Sequence, residues 1–209
     1  MSDFEQLANA VDLQGRIVVD VGCGDGSFVR ALARAGAEAI GVEVSEDAVA
    51  RAREQDPDHR YLLGGAQELP LPDRSVDGAT LMRSLHHVPD PSSAFPELAR
   101  VVRDFVWIAE PLPEGEFFEL LRPVDDETEV RAKAQEAIST ATGFERVETI
   151  EYDVTLPIPA FEDLRDRVLA ADPERAARFA EVEAGLRERF TPGDYVVPMR
   201  ADLLRVTSP

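Results

Sequence analysis

Short apolar runs alternate with segments of helical period along the first half of the chain. Runs of strand length and composition are Arg16–Val21, Ala39–Val44, Arg60–Leu63, Val76–Met82 and Phe105–Ala109. Between them, Ser27–Ala35 carries its apolar residues on one helical face, Ser45 caps a helix that Pro57 ends, and Asp90-Pro91 starts a helix reaching about Val102. Strands that alternate with helices in this way predict a parallel sheet covered by helices on both faces.

The second half of the chain has a different pattern. A helix opens at Asp125 or Asp126 and closes at Gly143, and its buried stripe is predicted to be Val130, Ala134, Ala137, Ile138 and Ala141. Residues from Ile150 to Leu156 alternate like a half-exposed strand, and two helical stretches follow, Phe161–Ala170 and Glu174–Phe190. Tyr195–Val206 is predicted as a last strand, antiparallel and near an edge, because Pro198 cannot donate to a ladder.

No repeat or linker divides the chain, so we expect a single domain over residues 1–209. The helical insertion at about residues 160–191 allows two interpretations. It is a lid over a binding site, or it is an amphipathic helix pair packed on the sheet edge.

Composition excludes several kinds of partner. The 209 residues are 44% apolar, and 41 acidic against 22 basic residues give a net charge of −19. A face that neutralises phosphates must be basic, so the balance argues against nucleic acid and against anionic membranes. One cysteine excludes an internal disulfide framework, and no apolar run reaches about 18 residues. We therefore expect a soluble cytoplasmic protein.

Lys133 is the only lysine, and all other basic residues apart from histidine are arginine. Two explanations stand side by side. An acidic surface with almost no lysine suits a high-salt cytoplasm, where ions screen self-repulsion. A GC-rich genome would also favour arginine codons.

A glycine-rich loop carries the first candidate chemistry. Asp20-Val-Gly22-Cys23-Gly24-Asp-Gly26 lies where the first strand turns into the first helix, the place at which open parallel sheets bind ligands. The loop is neither GxGxxG nor a P-loop, and by itself it allows a simple tight turn. Glu43 lies at the end of the second strand, where a carboxylate can accept both hydroxyls of a ribose. Loop and carboxylate together predict a nucleoside ligand.

These motifs resemble those of class I S-adenosylmethionine-dependent methyltransferases. The glycine loop is similar to the family's first motif, and Gly41-Val42-Glu43-Val44-Ser45 to its second. Gly64–Asp73, Val76-Asp77 and Leu85-His86-His87-Val88 resemble the small-molecule branch near the ubiquinone- and menaquinone-biosynthesis enzymes. The resemblance implies a Rossmann-like, doubly wound, seven-stranded sheet, mostly parallel with an antiparallel last strand, in a three-layer α/β/α arrangement. It also implies S-adenosylmethionine as cofactor and S-adenosylhomocysteine as product.

The resemblance also implies roles for individual residues. Gly22, Gly24 and Gly26, with Cys23 in the same loop, would pack against the methionine part of the cofactor. Asp20 would lie near its amino group or orient the loop.

On the nucleoside side, Glu43 would hold the ribose, Val44 would lie against the adenine, and Ala66 and Gln67 would line the adenine edge. Met82 and Arg83 would lie beneath the methionine, with Arg83 either pairing with its carboxylate or pointing into solvent.

Two positions depart from the family pattern. Gly65 stands where the family usually has an aspartate that accepts the adenine amino group, a charge-assisted bond of about 1.5–3 kcal/mol. Gln67, Glu68 or a water would have to replace it. In addition, Arg103-Asp104 joins directly to Phe105, without the turn that commonly precedes the fifth strand.

His86 and His87 are the candidate catalytic residues. They follow the fourth strand, beside the expected methyl position, and would take a proton if the acceptor arrives protonated. The alternative is that one caps the loop and the other is solvated. We expect no metal site, because the histidines have no carboxylate partner at ligand spacing. Cys23 is interpreted as a small residue that fills the turn, since it has no local base.

The leading hypothesis is therefore methyl transfer to a small-molecule acceptor by in-line displacement, in a monomer or homodimer. The alternative is a non-catalytic regulatory protein that binds S-adenosylmethionine or S-adenosylhomocysteine. A nicotinamide oxidoreductase is disfavoured, because GxGxxG is missing.

Overall fold

The computed structural model describes residues 2–207, whose strands form one seven-stranded sheet in the order β3-β2-β1-β4-β5-β7-β6. The strands are β1 Ile17–Val21, β2 Glu38–Glu43, β3 Arg60–Leu63, β4 Val76–Met82, β5 Val102–Pro111, β6 Phe144–Ile158 and β7 Gly193–Val206. The first five run parallel to one another, and β7 runs antiparallel to both of its neighbours. The predicted fold class, with an antiparallel last strand, is confirmed.

Helices pack on both faces of this sheet. They are α1 Asp3–Ala10, α2 Ser27–Arg34, α3 Glu46–Gln55, α4 Ala94–Val101, α5 Glu116–Leu121, α6 Thr128–Ser139, α7 Phe161–Ala171 and α8 Ala176–Arg189. Short 3-10 turns cover Leu85–His87, Pro91–Ser93 and Pro173–Arg175. The predicted cap of α3 is confirmed, since the Ser45 hydroxyl accepts the Ala48 N–H at 3.2 Å.

The central strands are apolar because both of their faces are covered. Val19 and Val21 of β1 point into a core with α4 and α6, whereas Val18 points into a second core with α1 and α2. Successive residues of a strand face opposite sides, so a doubly covered strand must be apolar throughout. These two cores lie between the sheet and the helices on its two faces, which gives the three-layer α/β/α arrangement.

A third core lies away from the sheet centre. It joins α5, α7 and α8 to the far ends of β6 and β7, and its buried residues include Leu120, Ile158, Leu164, Phe179 and Tyr195. The insertion predicted at residues 160–191 therefore packs into a cluster of its own. None of the helices in residues 2–207 combines the length and the hydropathy that a membrane span requires.

Several local predictions differ from the structure. α5 was not predicted, because it is only six residues long and Gly115 before it offers no side-chain cap. Val130 is 39% exposed and lies outside the buried stripe of α6, which runs from Thr128 to Ser139. β7 is near the edge, as predicted, but it pairs on both sides, and the edge itself is formed by β6. Pro198 fits this interior strand because its carbonyl still accepts the Leu112 N–H at 2.9 Å.

Candidate functional site

The order of the sheet reverses between β1 and β4. From β1 the chain moves outward to β2 and β3, and it then returns to place β4 on the other side of β1. In open parallel sheets the carboxyl ends of the strands at such a reversal form a crevice that binds ligands. A cavity of about 840 Å³ lies at this edge, a size typical of small-molecule sites.

The glycine loop after β1 allows the ends of β1 and β4 to approach closely. Gly22 has a φ of +77°, and a Cβ there would lie 2.5 Å from the Cβ of Ser84. The Ser84 hydroxyl in turn donates to the Val21 carbonyl at 2.7 Å. Glycine is therefore required at position 22 both by backbone conformation and by space.

Glu43 lies across the crevice from this loop and lines the cavity. Its two carboxylate oxygens accept the N–H groups of Gly24 at 2.9 Å and Ser45 at 3.0 Å. Each oxygen keeps a further lone pair. The carboxylate is therefore fixed in place while it can still accept hydrogen bonds from a ligand.

Val44, Gly65, Ala66 and Gln67 line the same cavity beyond Glu43. Val44 is 71% exposed, an unusual state for valine that leaves an apolar surface open to the crevice. The Gln67 amide nitrogen donates to the Ser93 hydroxyl at 2.6 Å, which orients its amide group. At Gly65 a Cβ would lie 3.3 Å from Val44, so there is limited room for a side chain.

Five of the proposed cofactor residues do not line the cavity. They are Asp20, Cys23, Gly24, Gly26 and Met82. Asp20 is buried behind the loop, where it accepts the Thr80 hydroxyl at 2.7 Å and where burial raises its pKa to about 7. Burial also raises the pKa of Cys23 to about 12, so its thiol stays protonated, as expected of a residue that fills the turn.

Arg83 lines the cavity but its guanidinium is ion-paired. It donates to Asp3 of α1 at 2.5 Å, and Asp3 also accepts the Tyr152 hydroxyl at 2.8 Å. The backbone of Arg83 has a φ of +55°, a conformation that non-glycine residues rarely adopt. In this structure Arg83 therefore ties the end of β4 to the N-terminal helix.

His86 and His87 both line the cavity, in the turn after β4. His86 is buried, and its Nδ1 is hydrogen-bonded to the carboxylate of Glu110, which also accepts the Leu85 N–H at 2.8 Å. This contact fixes the orientation of the His86 ring through Nδ1 and leaves Nε2 free of the Glu110 carboxylate. Partial desolvation and the neighbouring His86 lower the pKa of His87.

The second half of the chain adds residues that sequence reasoning missed. Glu127, Arg131, Asp172 and Arg175 all line the cavity. Glu127 accepts Arg131 at 2.5 Å and Arg175 at 3.2 Å. Burial alone would raise the pKa of Glu127, but Arg131 outweighs it and the pKa is lowered. The only local signal was the i,i+4 spacing of Glu127 and Arg131, which is common on exposed helices.

Glu127 also corrects the argument against a metal site. That expectation rested on the lack of a carboxylate beside the histidines. In the structure, His86, His87 and Glu127 each offer a ligand atom within 4.8 Å of the others. The carboxylate comes from a distant segment, so no spacing in the sequence could have indicated it.

A smaller cavity of about 200 Å³ adjoins the first and shares Arg83, Pro111, Glu127, Arg131 and Arg175 with it. We call it the apolar chamber. Its apolar lining comes mainly from the second half of the chain and includes Phe117, Phe118, Leu121, Val154, Leu156, Val168 and Val197. Glu114, Asp125 and Arg167 add charged groups to this lining beside the shared residues.

Comparison with known proteins shows what the segment that forms the crevice is similar to. The family model described as "Methyltransferase domain" matches residues 19–108, which hold the glycine loop, Glu43 and the histidine pair. The matched segment is therefore similar to a methyltransferase domain, and the fold is that of the class I S-adenosylmethionine-dependent methyltransferases. S-adenosylmethionine is the cofactor of this family. An open glycine loop, a fixed carboxylate and an apolar surface at Val44 fit its ribose and adenine.

Two curated relatives show how far the likeness extends. An uncharacterised methyltransferase of Mycobacteroides abscessus is 41% identical over 108 residues, 49% of this chain and 42% of that protein. A ubiquinone biosynthesis O-methyltransferase of Alkalilimnicola ehrlichii is 38% identical over 96 residues, 44% of this chain and 39% of that protein. The chain thus spans less than half the length of these relatives.

Solved structures match over nearly the whole chain. A candidate methyltransferase from Bacillus halodurans C-125 has a TM-score of 0.71 at 20% identity, with both chains fully covered. The [4+2]-cyclase SpnF has a TM-score of 0.68 at 22% identity and covers 99% of this chain and 81% of its own. At these identities the likeness concerns the fold.

Proposed function

We propose that this methyltransferase transfers a methyl group from S-adenosylmethionine to a small acceptor bound in the apolar chamber. One observation carries the proposal. The cofactor crevice, the histidine pair and the apolar chamber are continuous through shared lining residues such as Pro111 and Glu127. Two ligands in these adjoining spaces would meet beside His86 and His87.

The cofactor end of the site is assigned to the glycine loop and Glu43. Gly22 lets the backbone come close to the ligand, and the Glu43 carboxylate accepts both ribose hydroxyls. Gly24, Gly26 and Cys23 shape the loop from behind, and Asp20 orients it through Thr80. Met82 packs in the core beneath the crevice.

At the adenine end, Gly65 stands where the resembled family usually has an aspartate. Val44 and Ala66 supply apolar contact, and Gln67 is held by Ser93 so that its amide oxygen is the acceptor available for the adenine amino group. A neutral amide forms a weaker hydrogen bond than a carboxylate does. We therefore expect the chain to bind its cofactor more weakly than a relative with the aspartate.

The acceptor end determines what is methylated. When bound, the cofactor supplies an electrophilic methyl on a sulfonium. The chain's own residues have to align the acceptor and exclude water, since proximity and orientation account for much of the rate. The apolar chamber favours a small molecule with an apolar body. A histidine of the pair would receive the proton if the acceptor is a hydroxyl.

The α7–α8 segment is proposed to act as the lid of this end. The turn between these helices carries Asp172 and Arg175, which line the cofactor crevice. Val168 of α7 lines the apolar chamber. The segment thus contributes to both spaces while its helices pack into the third core.

Calorimetry with S-adenosylhomocysteine, followed by a turnover assay, tests the proposal. Wild type should bind the ligand and form S-adenosylhomocysteine from S-adenosylmethionine with acceptors that have an apolar body. Glu43→Gln should weaken binding about 100-fold, because two charge-assisted bonds lose their charge. Glu54→Gln, on the exposed end of the neighbouring helix α3, is the matched control and should bind normally.

Two outcomes would separate the alternatives. Binding without turnover on any acceptor in a broad panel would favour the non-catalytic regulatory protein. No binding at all would contradict the assignment of the crevice.

A further inference from the structure

Four side chains form a compact polar group where the cofactor crevice meets the apolar chamber. We call His86, His87, Glu110 and Glu127 the histidine–carboxylate cluster. His86, His87 and Glu127 have one ligand atom each within 4.8 Å of the others, the only such trio of histidine, cysteine and acidic side chains in residues 2–207. Two imidazoles and a carboxylate are a common ligand set for divalent transition metals.

Glu110 holds His86 in the orientation that metal binding requires. Its carboxylate is hydrogen-bonded to Nδ1 of His86 and accepts the Leu85 N–H at 2.8 Å, so Nε2 is the ring nitrogen left for a metal. Histidine ligands of metals almost always donate their other ring nitrogen to such an outer carboxylate or carbonyl. Glu110 is fully buried, and a buried carboxylate is costly unless positive charge lies nearby. A metal ion bound by the His86 ring would place positive charge next to this carboxylate.

The charge around the cluster also favours a divalent cation. Glu127 bonds Arg131 and Arg175, and Arg175 additionally bonds Asp125 and approaches Asp172 at 3.6 Å. With Glu110, this network holds four carboxylates and two guanidiniums. Carboxylates outnumber guanidiniums in this network, which favours the binding of a cation. Oε2 of Glu127 accepts two N–H groups of Arg131, whereas Oε1 accepts one from Arg175 and retains a lone pair for a metal.

We propose that His86, His87 and Glu127 bind one divalent transition-metal ion, positioned by Glu110, and that the acceptor binds this ion through a hydroxyl oxygen. The part concerning the acceptor rests on the proposed function, whereas the metal site does not. Coordination lowers the pKa of a bound hydroxyl, so its proton leaves to water. The oxygen then forms the new O–CH3 bond as the S–CH3 bond breaks. With the ion bound, the histidines are ligands and neither needs to act as the base.

Titration with Co²⁺ tests the site without any acceptor. Protein without a histidine tag is freed of metal with a chelator and dialysed, and Co²⁺ is added while visible absorption is recorded. Wild type should take up one ion per chain with ligand-field bands, and Zn²⁺ should displace it. Absence of these bands together with absence of Zn²⁺ binding by calorimetry would overturn the proposal.

Variants assign the ligands. His87→Ala and Glu127→Gln should each weaken Co²⁺ binding at least tenfold, and Glu110→Gln should weaken it about 10–100-fold through loss of positioning. His59→Asn is the matched control, because His59 pairs with Asp56 at 2.8 Å outside the cluster and should not change binding. Circular dichroism verifies that each variant is folded. Unchanged Co²⁺ binding in folded His87→Ala and Glu127→Gln would also refute the site.

S-adenosylhomocysteine binding and turnover, with and without chelator, keep the two proposals apart. Metal-dependent turnover with metal-independent S-adenosylhomocysteine binding supports both. Turnover that persists in chelator would contradict the metal's role and leave methyl transfer intact. Metal uptake without turnover on any acceptor would instead count against the proposed function.

Discussion

The two halves of the sheet build the two ends of the site in different ways. In residues 17–111, each candidate cofactor residue lies in or beside the loop that follows its own strand, as Gly22 follows β1 and Glu43 ends β2. In residues 112–207, Glu127, Arg131 and Arg175 come from α6 and from the α7–α8 turn. The proposed cofactor end is therefore encoded locally, whereas the proposed acceptor end is assembled by packing of distant segments.

This difference fits the comparisons. The family match covers residues 19–108 and the curated relatives align over about 100 residues, whereas solved structures align over the whole chain. A strand-end loop with fixed ligand geometry keeps its sequence pattern. A cavity wall needs only apolar volume, and many side chains can supply it.

The largest expected effect is a loss of stability, and it tests whether the two halves of the chain act separately. Phe95 and Phe179 are equally buried, at 2% exposure, but Phe95 lies in the core of the parallel sheet and Phe179 in the third core. Truncation to alanine should cost about 3–5 kcal/mol in either place. Phe179→Ala should raise hydrogen exchange in α7 and α8 and reduce turnover more than tenfold, with S-adenosylhomocysteine binding within twofold of wild type.

Phe95→Ala is the companion variant and should weaken S-adenosylhomocysteine binding along with stability. Equal loss of cofactor binding in both variants would show that the two halves do not act separately.

The second effect concerns the buried carboxylate of the cofactor half. Burial raises the pKa of Asp20 to about 7, so the folded protein holds a proton there that the unfolded chain has already released above pH 4. The free energy of unfolding therefore has its full value below pH 4. It falls by about 4 kcal/mol as the pH rises to 7. Asp20→Asn should remove that decline, measured by urea unfolding between pH 4 and pH 8.

Asp58→Asn, an exposed aspartate in the turn before β3, is the control for removal of one negative charge. Its difference from wild type should not vary with pH in the way that the Asp20→Asn difference does. Parallel curves for wild type and Asp20→Asn would contradict the assignment of the proton to Asp20.

The smallest expected effect concerns cofactor affinity at the adenine end of the site. Gly65→Asp restores the carboxylate that family members carry and should tighten S-adenosylhomocysteine binding about tenfold, the gain of one charge-assisted bond. The backbone of Gly65 does not have a positive φ, and a Cβ at 3.3 Å from Val44 requires only a small shift. Gly65→Ala adds the same Cβ without the carboxylate and should not tighten binding. Calorimetry that finds equal affinities for both variants would show that the carboxylate does not reach the adenine.

The sequence predicted most of the fold because its local signals agree with the tertiary structure. β3 and β4 have the predicted bounds, α2 ends one residue before the predicted Ala35, and α3 begins directly after its predicted cap, Ser45. α5 escaped prediction because it is short and gains its stability from packing Phe118 and Leu120 against the rest of the chain. The place of β7 between β5 and β6 could not be deduced, since a proline at an interior position is unusual.

For the site as well, the sequence predicted the residues at strand ends and missed the contacts between distant segments. Gly22, Glu43, Val44, Gly65, Ala66, Gln67, Arg83, His86 and His87 line one cavity, as expected of strand-end residues. The ion pair of Arg83 with Asp3 and the approach of Glu127 to the histidines depend on contacts between segments far apart in the chain. Hydrophobic periodicity carries no information about such contacts.

The position of β7 also has a consequence for the order of folding during synthesis. β6 is the longest strand and pairs, among the described residues, with β7 alone, which is made after the α7–α8 segment. Until the ribosome has released residues 193–206, β5 and β6 both present open edges, and such edges can pair with other chains. The four acidic residues Glu145, Glu148, Glu151 and Asp153 along β6 would keep nascent chains apart by repulsion during this interval.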